Sequence, residues 1–149
     1  MSITFIGPAG SCEFPWIRYA LLRDSVLHHY DHGQMSPSFS ELYRVGDALG
    51  GRRLSLPARN LRAQLTRAQA LCMLSISNLA VSARTKAVIG LTPDVQDGPV
   101  TQLIGPNLHR PWLSGELQTL GDVFGQLIRD LLQITSGSSL SDVVEVVDS

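Results

Sequence analysis

Apolar and polar positions recur with two different periods along this chain, and the switches between them mark out its elements. Ile3, Thr4, Phe5 and Ile6 are a run of β-formers that Gly7-Pro8 ends, which predicts a strand over residues 2–6 and a loop over 7–11. Over residues 15–30 the apolar positions Ile17, Ala20, Leu21, Leu27 and Tyr30 return at helical spacing, and Gly33 offers a left-handed end. Ser38 and Glu41 have the spacing of a capping box ahead of Leu42, Val45 and Leu49, so a second helix is expected up to Gly50-Gly51. Arg53-Leu54-Ser55-Leu56 then alternates like a half-buried strand. Pro57 stops it and suits the first turn of a central helix over residues 57–73, in which Leu61, Leu65, Ala68 and Cys72 share one side.

In the second half, Ser82 starts a short helix that ends at Gly90, Val100 to Ile104 reads as a strand, and residues 105–116 are the most loop-like stretch. The strongest periodicity comes next. Leu120, Val123, Phe124, Leu127, Ile128, Leu131 and Leu132 form an unbroken stripe behind a Thr119–Asp122 capping pair, and Gly137 closes it. A final strand covers residues 142–147. Strands near residues 2–6, 52–56, 100–104 and 142–147, scattered among helices, predict one α+β domain over residues 1–149. Its sheet is small and mostly antiparallel, with four or five helices packed largely on one face.

Charge changes this picture by dividing the chain in three. Net charge is −2 over residues 1–47, +7 over 48–93 and −6 over 94–149. The middle segment holds no Asp or Glu, and Arg59, Arg62 and Arg67 spread over roughly 140° of the central helix opposite its apolar side. Ala63, Thr66 and Ala70 lie between them, a flat face that another surface can approach. Phosphate binding is one use of clustered arginine. The pI near 6.4, the single lysine and the lack of aromatic residues among the arginines argue against a dedicated nucleic-acid module. Two uses remain: the acidic last third packs beside the helix and balances it, or the arginines dock a protein. His109, Arg110 and Trp112 in the 105–116 loop are further docking candidates, since Arg and Trp are enriched at binding hot spots.

Candidate chemistry is sparse. His28 and His32 are four apart, the spacing that places two imidazoles on one helix face for zinc, but nothing marks a third ligand and the pair reads as solvated histidines at a helix end. A small metal-dependent hydrolase using them is the contrasting reading. Cys12 and Cys72 form no Cys-x-x-Cys unit, Gly10 is followed by Ser11-Cys12 rather than Lys-Ser/Thr, and no Gly-x-Ser-x-Gly is present. No cofactor is expected. The N-terminus lacks the basic start of a signal peptide and no apolar run approaches the ~20 residues that span a bilayer, so the expected location is cytoplasmic. In size, expected location, α+β pattern and lack of catalytic motifs the chain resembles the immunity proteins of bacterial toxin–immunity systems. That resemblance implies tight binding to a cognate toxin, blocking its active site or the way into it, with no chemistry performed.

Overall fold

The computed structural model describes residues 2–27, 37–74 and 119–148. The chain opens with a hairpin in which β1 (Ser2–Gly7) turns through Pro8 and Ala9 into β2 (Gly10–Pro15), pairing Ile3 with Phe14 and Phe5 with Cys12. The loop expected over residues 7–11 is therefore a two-residue turn, and a strand follows it. Gly10 sits at φ +146°, where an L side chain is disfavoured. α1 (Trp16–Leu21) runs into a wider π-helical segment, Leu22–Leu27. α2 (Ser40–Arg44) lies between short 3-10 turns, and β3 (Arg53–Pro57) leads directly into α3 (Ala58–Leu71). α4 (Leu120–Ile134) and β4 (Val143–Asp148) complete the described elements.

The described strands form one antiparallel sheet in the order β2-β1-β4-β3, and with the four described α-helices they give the α+β class that the sequence predicts. The expected strand over 100–104, the helix ending at Gly90 and the 105–116 loop lie outside the described residues. Ile3, Phe5, Phe14, Leu56, Val144 and Val146 bury one face of the sheet. They join Leu61, Leu65 and Ala68 of α3 and Val123, Phe124, Leu127, Ile128 and Leu131 of α4 in one core cluster. β1 and β4 occupy the centre because they alone present two fully buried side chains each, while β2 and β3 at the rims are mostly exposed. On the other face Arg53 reaches Glu145 at 3.0 Å, both partly exposed, a contact of small energetic weight.

Helix ends show how the elements are joined. At the start of α4 the Thr119–Asp122 capping box forms as predicted, and the amides of Leu120 and Gly121 donate to the carbonyls of Leu74 and Cys72, just past α3. At its other end all four terminal carbonyls, which no helix can satisfy by itself, have partners. Thr135 Oγ1 donates to Leu131 O at 3.1 Å, Arg62 Nη1 to Leu132 O at 2.6 Å, the Ser136 amide to Gln133 O at 3.1 Å and the Ala9 amide to Ile134 O at 3.0 Å. The capping box expected at Ser38 and Glu41 does not form. The N-cap of α2 is Phe39, without a side-chain bond, and the buried Gln64 of α3 takes over: its Oε1 accepts from the amides of Glu41 at 2.8 Å and Leu42 at 3.2 Å. Glu41 pairs instead with Arg44. Asp24, buried, is held by both Nε and Nη2 of Arg23, whose guanidinium lies 5.1 Å from the Trp16 ring centroid.

The hairpin sits so close to α4 that a Cβ on Gly7 would lie 2.5 Å from Ile134 O. Gly7→Ala is expected to destabilise the fold by about 1–3 kcal/mol, and Thr119→Ala by about 1 kcal/mol, both measured as shifts in the urea midpoint.

Candidate functional site

Two faces with different demands are written into α3. Ala58, Leu61, Leu65 and Ala68 are buried at the helical repeat, and Gln64 is buried with them because the amides of α2 absorb its polarity. The outward positions Arg59, Asn60, Arg62, Ala63, Thr66 and Arg67 are exposed. Arginine at three of them, with alanine between, produces a positive ridge of low relief.

The arginines are not equivalent. Arg62 reaches across to the end of α4, bonding Leu132 O and, at 3.3 Å, Thr135 Oγ1, so one of its nitrogens is fixed on a helix C-terminus that carries partial negative charge. Arg67 donates to Ser38 O at 3.2 Å. Arg59 makes no hydrogen bond or ion pair with any of the described residues. Among the described residues the acidic last third does meet the basic helix, but through main-chain and hydroxyl oxygens and no carboxylate. A carbonyl positions a guanidinium without cancelling its charge, so Arg67 and Arg59 keep theirs in full and Arg62 keeps much of its own. Holding the long side chains in place also removes part of the ordering cost that a binding partner otherwise meets.

A shallow depression lies on each side of the ridge. One of about 360 Å³ is lined by Arg59, Arg62, Ala63, Thr66, Gly137 and Ser138. The other, about 220 Å³, lies between Asn60, Gln64 and Arg67 of α3 and Ser40 and Glu41 of α2. Sequence reasoning singled out the arginines and small residues of this surface. It missed Asn60, Gln64 and Ser138; a glutamine inside the Leu61–Leu65 apolar stripe is the signal that could have pointed to Gln64. The remaining docking candidates, His109, Arg110 and Trp112, and the histidines His28 and His32 lie outside the described residues.

The cysteines are poor nucleophiles. Cys12 lies in a third depression with Ser11, Asp130 and Gln133, where burial first and the negative Asp130 second push its thiol up to about 12. Burial likewise raises Cys72, against a smaller lowering by Arg129. A protonated thiol neither attacks a carbonyl nor binds metal well. Among the described residues no three His, Cys, Asp or Glu side chains are grouped to hold a metal ion.

Arg62→Ala is expected to cost about 1 kcal/mol of stability by removing its bonds to Leu132 O and Thr135 Oγ1, whereas Arg59→Ala stays within about 0.5 kcal/mol, both read from urea unfolding. Cys12 supplies a pH dependence. Its folded value of about 12 exceeds the ordinary 9.0, so the native state holds the proton more tightly. That contribution is complete below the ordinary value and is lost as pH climbs from there toward about 12. Unfolding midpoints should fall over this alkaline range, and Cys12→Ser should remove part of the fall; the buried Tyr19, also raised, adds to it above its ordinary 10.0. Compared with known proteins, the chain matches no family model, and neither a curated protein nor a solved structure is significantly similar to it.

Proposed function

We propose that this chain is a non-enzymatic protein-binding domain, an immunity protein that neutralises a cognate bacterial toxin by direct binding in the cytoplasm, and that the outer face of α3 is its docking surface. The observation that carries the reading is the set of arginines on α3: Arg62 and Arg67 are held by the chain's own oxygens, and among the described residues Arg59 has no hydrogen bond or ion pair and no carboxylate meets any of the three. A charged surface that is ordered but left uncompensated complements an acidic partner, raising both encounter rate and selectivity. A single α+β domain, with four or five helices largely on one side of its sheet, is the scaffold that goes with this reading: the sheet and α4 hold α3 rigid from behind. The described residues contain no helix long and apolar enough to cross a membrane.

The test is complex formation with the product of the adjacent reading frame, together with protection of cells that express it. Charge reversal at Arg59 and Arg67 together is expected to weaken the complex by about thirtyfold or more, the level of a binding hot spot, while leaving the circular dichroism spectrum unchanged. Unchanged affinity in the double variant removes α3 from the interface, and wild-type protein that neither binds nor protects overturns the immunity reading.

A further inference from the structure

Resting on that docking reading, we infer that the depression between α3 and the turn after α4 is a carboxylate subsite, taking one Asp or Glu side chain of the partner. Arg59 and Arg62 stand three residues apart on one helix, where like charges repel unless an anion lies between them. Arg62 is fixed through Nη1 alone, which leaves the Nε–H and Nη2 edge of its planar fork for a bidentate carboxylate. Ala63 raises no more than a methyl group from the floor, so the anion can come down between the two guanidinium groups.

The rest of the lining selects among anions. Thr66 Oγ1 donates its hydrogen to Arg62 O, and Ser138 Oγ donates to Thr135 O. Both hydroxyls therefore offer only lone pairs to the depression. They are acceptors waiting for N–H donors, which a peptide backbone carries beside its carboxylates and which inorganic phosphate at high pH and the sugar–phosphate backbone of DNA do not. The second depression is unsuited to the same role, because the Glu41 carboxylate is part of its wall.

Titration with N-acetylated, C-amidated hexaglutamate, followed by the amide resonances of Thr66, Gly137 and Ser138, tests this. Binding at these positions is expected, weakened at least about tenfold by Arg59→Gln and by Ala63→Leu, which fills the floor on an exposed helix position. Thermal midpoints of both variants should match wild type, so loss of binding is not loss of fold. A neutral peptide with a free C-terminus separates a terminal carboxylate from a side-chain one, and its tighter binding overturns the side-chain assignment. Tighter binding of inorganic phosphate or of a DNA duplex overturns the peptide assignment, and hexaglutamate binding that ignores both substitutions overturns the subsite. Toxin binding separates the two readings: a complex broken by Arg67→Glu but indifferent to Arg59→Gln and Ala63→Leu removes the subsite and keeps the docking face.

Discussion

The C-terminal turn of α4 is the junction on which the rest of the structure depends. Four carbonyls point out of that turn, and an unmet buried carbonyl costs on the order of 1–3 kcal/mol. They are met from three separate places in the chain: the tip of the first hairpin, the middle of α3, and the turn that follows α4 itself. One helix end thus fixes where the β1–β2 hairpin lies against the helical layer and how α3 runs beside α4. The opposite end of α4 does the same for the end of α3 through Cys72 and Leu74. α3 is consequently tied to one helix at two places, through Arg62 within it and through Cys72 and Leu74 just past its end. Its outer face is presented by a support with little freedom to tilt.

How much of this was legible depended on whether the partners were neighbours in sequence. The Thr119–Asp122 box was readable because both members sit within one turn. The Ser38–Glu41 pair had the same spacing and failed because Gln64, more than twenty positions away, supplied the acceptor for the Glu41 amide that Ser38 would have capped, and for Leu42 beside it. β2 went unread since Gly7-Pro8-Ala9-Gly10 looks like a loop, and Ser11, Cys12 and Glu13 are weak strand formers; pairing with β1 overrode their propensities. The α3 arginines and their separation from the apolar side followed from the helical period. Their individual roles did not, because Arg62 acts on Leu132 across 70 residues of chain.

Charge bookkeeping by thirds of the chain also proved too coarse. The −6 of the last third suggested a carboxylate counterpart for the α3 arginines, yet among the described residues its carboxylates are used elsewhere: Asp122 and Asp142 accept nearby backbone amides, and Glu145 crosses to Arg53 on the neighbouring strand. What the described part of the last third offers the α3 arginines is a main-chain carbonyl and a hydroxyl. A surface held this way is ordered and still charged, a combination that ion pairing within the chain would have abolished.

Gln64 ties this surface from beneath to α2, the element that borders it. Its side chain leaves the buried side of α3 and closes the second and third amides of α2, with Nε2 on the Ser40 hydroxyl. Those amide hydrogens are shielded only while α3 stays in place, so their exchange with solvent deuterium gauges the position of α3 from another segment. Anything that presses on the arginine ridge and shifts the helix beneath it is thereby registered at the amides of Glu41 and Leu42, which face Gln64 under the surface.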